Sequence, residues 1–131
     1  MSTFGDIIAD ENPVLIDFYA DWCGPCKTLA PILKEVKTEL GENIKIIKID
    51  VDKNQQLAAK YQVRGVPTMM LFKNGAQLWR QSGVIQKQDI INIIKSNIFF
   101  LRTIPPLAEN PPILPSDLTT LWHGIAMAIL F

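Results

Sequence analysis

The first 98 residues predict an α/β domain with a central, mixed four-stranded sheet flanked by helices on both faces. Three observations predict it. A nearly all-apolar run, Val14 to Ala20, is followed by a helix-period segment and a second strand-like run, the pattern of a strand–helix–strand unit. Asn74-Gly75 lies between two further strand-like runs and marks a hairpin, because both central turn positions need positive φ. A last amphipathic segment, Gln86 to Ile98, supplies a helix to cover the sheet.

Each element has its own reason. Phe4 to Asp10 reads as a short helix that stops before Asn12-Pro13. Val14-Leu15-Ile16-Asp17-Phe18-Tyr19-Ala20 reads as a strand covered on both faces. Cys23 to Leu40 reads as a helix with Leu29, Ile32, Leu33, Val36 and Leu40 on one face and Gly41 as its stop. Pro31 removes one hydrogen bond from that helix and is expected to bend it. Ile44 to Ile49 is the second strand, Gln55 to Tyr61 a short helix, and Thr68 to Lys73 the third strand. Ala76 to Ser82 then returns antiparallel to the third strand, and Ile90, Ile91, Ile94 and Ile98 face inward from the closing helix.

Composition narrows the function. Thirteen basic residues balance thirteen acidic ones among 131, so the chain carries no electrostatic footprint for nucleic acid or an anionic membrane. The N-terminal segment lacks a basic n-region and a long apolar h-region, and no apolar run reaches the roughly 20 residues of a membrane span. The expected compartment is the cytoplasm, where thiols stay reduced. Two cysteines so close together close too short a loop to restrain the unfolded chain, so chemistry is the expected reason for Cys23 and Cys26.

The chemistry concentrates in Asp21-Trp22-Cys23-Gly24-Pro25-Cys26-Lys27, between a strand and a helix. That places Cys23 at the helix N-terminus, where unpaired N–H groups and the helix dipole favour thiolate over thiol. Such cysteines titrate near about 7 instead of about 8.5. Cys26 falls one turn further on, within bridging reach, and Pro25 sits in the first turn, where its missing N–H is harmless. Thiolate Cys23 would attack a substrate disulfide, and Cys26 would resolve the mixed disulfide and leave Cys23–Cys26 oxidised. Asp17, the only charged residue of an apolar strand, is the candidate base for Cys26, since burial raises a carboxyl pKa. Lys48 on the neighbouring strand could pair with Asp17 and offset that rise, or be a solvated strand residue.

Here the chain resembles the thioredoxins. Trp22-Cys23-Gly24-Pro25-Cys26 matches their active site at every position, Asp17-Phe18-Tyr19-Ala20 resembles the strand before it, and Gly65-Val66-Pro67-Thr68 resembles their cis-proline loop. Phe72-Lys73-Asn74-Gly75 and Gly83 fit as well, so the resemblance spans about residues 4 to 98. It implies a thioredoxin fold and a protein disulfide reductase. It implies that Pro67 is cis and faces the sulfurs, that Val66 binds extended substrate through its backbone, and that Trp22 covers the site. Gly24, Pro25 and Gly83 complete the implied substrate surface. Implied partners are disulfide-containing proteins and an NADPH-dependent thioredoxin reductase, with the Cys23–Cys26 disulfide as redox centre and no bound cofactor.

Competing readings are weaker. A closed zinc site needs four ligands, and beside the two cysteines the chain has a single histidine, His123, and no second cysteine pair. Asp17 could instead be a structural carboxylate, and Trp79 and Trp122 read as packing residues. A docking module with incidental redox turnover is the alternative function. An oxidase or isomerase of an oxidising compartment would carry an export signal. Two departures from the family stand out. The usual first strand is expected to be missing, which would leave Ile44 to Ile49 at a sheet edge, with Lys45 and Lys48 to discourage edge pairing. Residues 99 to 131 form an extension with five of the nine prolines, followed by the cap-like Ser116-Asp117 and an apolar segment, Leu118 to Phe131. Four readings of it stand open: cover for the exposed edge, a dimer contact, a membrane or partner contact, and sequence with no evolved role.

Overall fold

A computed structural model describes residues 3–103. The elements in chain order are α1 (Phe4–Ile8), β1 (Val14–Tyr19), α2 (Gly24–Leu40), β2 (Lys45–Asp50), α3 (Gln55–Lys60), β3 (Thr68–Lys73), β4 (Ala76–Ser82) and α4 (Lys87–Thr103), with a single 3-10 turn at Gly41–Asn43. The sheet runs β2-β1-β3-β4. β1 pairs parallel with β2 and antiparallel with β3, and β3 pairs antiparallel with β4. The mixed four-stranded sheet is the one expected from the sequence.

Strand alternation sorts the core into two layers. Leu15, Met69 and Leu71 point to the side of α2 and α4, where they meet Leu29, Leu33, Val36, Ile90, Ile91 and Ile94. Val14, Ile16, Phe18, Met70 and Phe72 point the other way, toward Ile8 and the partly buried Phe4, Leu57 and Tyr61. β1 and β3 therefore have both faces covered, which is why their sequences read as unbroken apolar runs. Asp17 shares the face of Leu15, two residues along, and so lies on the α2 side of the sheet.

The ends of the elements follow local chemistry. Thr3 and Asp6 form a reciprocal capping box at the start of α1, and Phe4 stacks edge-on against Tyr61 and Phe72 at 5.1 and 5.9 Å. The β3–β4 turn has Asn74 at φ 52° and Gly75 at φ 82°, as the Asn-Gly pair predicts. α2 continues across Pro31. Among the described residues β2 is an edge strand, and Lys45 and Lys48 are exposed on it, as expected. Lys45 also makes an ion pair with Asp10.

Most boundaries fall within one or two residues of expectation, and one differs by more. α4 runs on to Thr103 and does not close at Ile98. Phe99-Phe100-Leu101-Arg102 contains no helix breaker, and the first prolines beyond it are Pro105-Pro106. Residues 104–131, with Ser116-Asp117, the segment from Leu118 to Phe131, Trp122 and His123, lie outside the described residues.

Leu29 gives the core a direct test. It is fully buried between α2 and the sheet. Leu29→Ala is expected to lower stability by about 3 kcal/mol, through lost transfer energy plus a residual cavity. Urea denaturation reads this as a midpoint lower by about 1–2 M.

Candidate active site

The chain leaves β1 at Tyr19 and enters α2 at Gly24, with Cys23 as the N-cap residue. Its backbone is extended, at φ −87° and ψ 110°, and its Sγ accepts the Cys26 N–H at 3.1 Å. A sulfur in that position receives one of the free N–H groups of the helix start and sits at the positive end of its dipole. Pro25 occupies the first turn. Cys23 and Cys26 are joined as a disulfide with Cα atoms 5.3 Å apart, and both are nearly buried. A methyl group on Gly24 would meet no atom within 4 Å, so the surface beside the disulfide is open.

The loop between α3 and β3 comes to the same place. The Val66–Pro67 peptide bond is cis, and the Val66 carbonyl oxygen lies 3.6 Å from Cys23 Sγ. Val66, Tyr19 and Val51 pack around the small cluster of Ala20, Cys23 and Cys26. The Gly83 N–H donates to the Pro67 carbonyl at 2.9 Å, with Gly83 at φ +95°, a conformation that favours glycine. Cys23 and Cys26, Val66 and Pro67, and Gly83 thus gather from three separate stretches of sequence.

Trp22 is 71% exposed, and its Nε1–H donates to Asp52 Oδ2 at 2.8 Å. Sequence reasoning gave Asp52 no role. It lies 30 residues from Trp22 in an ordinary polar loop, and only the fold brings the pair together.

Asp17 is fully buried, and neither carboxylate oxygen has a hydrogen-bond partner among the described residues. Burial pushes its pKa up from 3.8 to about 6, and the charge of Lys48 pulls the other way. Lys48 is the direct register partner of Asp17 across β1 and β2, and of the two readings left open by the sequence, no ion pair between them forms among the described residues. The ammonium lies 4.5 Å from the centroid of the Tyr19 ring. An exposed lysine can keep its charge in water while resting on an aromatic face, and that arrangement avoids desolvating the ammonium beside Asp17.

Among the described residues no group of three or more His, Cys, Asp or Glu side chains is arranged to hold a metal. No helix among them is long and apolar enough to cross a membrane.

Comparisons with known proteins agree with this geometry. The thioredoxin family model matches residues 1–96. A thioredoxin of Rickettsia bellii is 41% identical over 93 residues, which are 71% of this chain and 89% of the relative. A thioredoxin of Pseudomonas aeruginosa is also 41% identical over 93 residues, 71% of this chain and 86% of the relative. Among solved structures, a mutant thioredoxin from Halobacterium salinarum superposes with a TM-score of 0.64 at 42% identity, covering 71% of this chain and 80% of the other. Most of each bacterial relative is matched, and the family match includes the whole dithiol segment and its facing loop, so the chain belongs to the thioredoxin family and is a thiol–disulfide oxidoreductase that reduces protein disulfides.

Proposed function

We propose that Cys23 is the attacking thiolate and Cys26 the resolving thiol. The observation that carries this assignment is the helix N-cap position of Cys23, with its sulfur accepting a backbone N–H. In the reduced form, Cys23 thiolate attacks one sulfur of a substrate disulfide, and the other sulfur departs as a thiolate that takes a proton. The Cys26 proton passes to Asp17. Asp17 is the buried carboxylate on the α2 side of the sheet, and its raised pKa suits it to accept a proton near neutral pH. Cys26 then attacks the Cys23 sulfur, the second substrate sulfur leaves as a thiol, and the Cys23–Cys26 disulfide re-forms. Two electrons have moved to the substrate.

The remaining roles follow the same reading. Trp22, Gly24, Pro25, Val66, Pro67 and Gly83 form the surface on which an extended substrate segment lies. Lys48 tunes Asp17 through space, its positive charge favouring the ionised carboxylate. The redox centre is the disulfide itself, with no bound cofactor. The electron donor is an NADPH-dependent thioredoxin reductase, the substrates are disulfide-containing proteins, and the compartment is the cytoplasm. Every residue assigned a role lies before Ile98, so the catalytic domain is the segment 1–98, with residues 99–131 as an extension that begins in the last turns of α4.

Reduction of insulin disulfides with thioredoxin reductase and NADPH tests the reading. The full chain is expected to turn over insulin with consumption of NADPH. Folded, reduced protein that leaves insulin intact would remove the assignment.

A further inference from the structure

Ser82 ends β4 and pairs in register with Thr68, the first residue of β3. Thr68 is buried, and its Oγ1 lies 2.7 Å from the Gly65 carbonyl oxygen and 2.8 Å from Ser82 Oγ. A carbonyl oxygen only accepts, and a hydroxyl has one hydrogen to give. Thr68 therefore donates to Gly65, and the hydrogen of the second bond comes from Ser82. The chain of bonds has one direction, Ser82 to Thr68 to Gly65, and each bond polarises the next.

One residue further on, the Gly83 N–H donates to the Pro67 carbonyl. The end of β4 thus grips the loop on both sides of Val66: at Gly65 through the Thr68 hydroxyl, and at Pro67 directly. Upstream, the loop is tied at Val63, whose N–H donates to the Ala58 carbonyl at 2.8 Å. Val66 itself stands between these ties with its carbonyl 3.6 Å from Cys23 Sγ. An extended segment hydrogen-bonding to the Val66 backbone gains most when that backbone is already fixed, because less ordering remains to be done on binding.

We propose that Ser82 is a positioning residue for protein-disulfide binding, its hydroxyl acting through Thr68 to fix the Gly65–Pro67 backbone on which the substrate segment docks. The inference rests on the reductase reading and on Val66 as the docking backbone. Ser82 acts through its hydrogen bond to Thr68 and not on the reacting sulfurs. Its side chain is exposed, so removing the hydroxyl leaves the core untouched.

The test uses the full chain with Ser82→Ala and Ser82→Thr, kept reduced by thioredoxin reductase and NADPH. Two disulfides are compared: insulin, which presents a polypeptide segment, and a small aromatic disulfide, which reaches Cys23 without lying along the loop. Ser82→Ala is expected to raise KM for insulin about fivefold, the size expected of one neutral hydrogen bond, with kcat unchanged. The small disulfide should be reduced at the wild-type rate, and Ser82→Thr, which keeps the hydroxyl, should restore the insulin KM. An unchanged KM in Ser82→Ala overturns the proposal. So does an equal loss on both disulfides, or a Thr variant that behaves like Ala. Wild-type protein inactive toward both disulfides would instead remove the reductase reading beneath it.

Discussion

Cys23→Ser is expected to lower disulfide reduction at least about a thousandfold, because a hydroxyl is not a nucleophile toward a disulfide at neutral pH. The loss should be chemical and not structural. Serine is a good N-cap residue, so α2 keeps its starting hydrogen bond to the Cys26 N–H when the sulfur at that position is replaced by oxygen. Cys26→Ser gives the complementary result. Its Cys23 can still attack, but nothing resolves the product, so a mixed disulfide with substrate should accumulate to about one equivalent. Intact-protein mass spectrometry after mixing with oxidised insulin reads both outcomes: an adduct on Cys26→Ser and none on Cys23→Ser. The reverse pattern would exchange the two roles. The geometry argues against that exchange, since Cys23 is the sulfur that accepts a helix N–H and stands beside the Val66 carbonyl.

Much of this site was legible in the sequence because its signals are local. The dithiol, its place between a strand and a helix, and Pro25 in the first turn are all carried by Trp22-Cys23-Gly24-Pro25-Cys26 and its immediate flanks. The Asn74-Gly75 hairpin and the doubly buried β1 are equally local, the first a matter of φ and the second of uniform apolarity. What the sequence did not yield depends on distant partners or on competition. The Trp22–Asp52 hydrogen bond joins residues 30 apart that no periodicity links. Lys48 could be placed on the strand beside Asp17, but its ammonium had a choice between a buried carboxylate and the half-buried Tyr19 ring, and the lower desolvation penalty decided it. Ser82 reads as an ordinary strand end until Thr68 is found buried across from it. α4 outlasts Ile98 because a change in composition is not a helix stop. Helices end at breakers, and the first of these is Pro105.

Asp17→Asn should make the protein more stable at pH 7 and a slower reductase. The stability argument is one of linkage. The folded state holds the Asp17 proton up to about pH 6, whereas the carboxyl's ordinary value is 3.8. Between those values the folded protein binds more protons than the unfolded chain, so stability falls as pH rises from about 4 to about 6 and is level above that. The full difference corresponds to about 3 kcal/mol. The substituted amide cannot ionise, so the variant escapes the fall. Because that buried amide lacks partners, a net gain of about 2 kcal/mol at pH 7 is the expected size, vanishing or reversing at pH 4. Urea denaturation of both proteins at intervals from pH 4 to pH 7 should show difference curves that bend in that window. Parallel curves would mean that Asp17 does not titrate there. The kinetic argument runs the other way. Loss of the base should slow resolution of the mixed disulfide by about a hundredfold, while Cys23 attack changes little, because that step begins from a thiolate held by the helix terminus. Rapid-mixing measurements of the two steps separate them, and equal slowing of both would remove Asp17 as the base for Cys26. A variant that gains stability and loses the second step alone would show that the carboxylate is kept in the core, against the stability of the fold, for its proton.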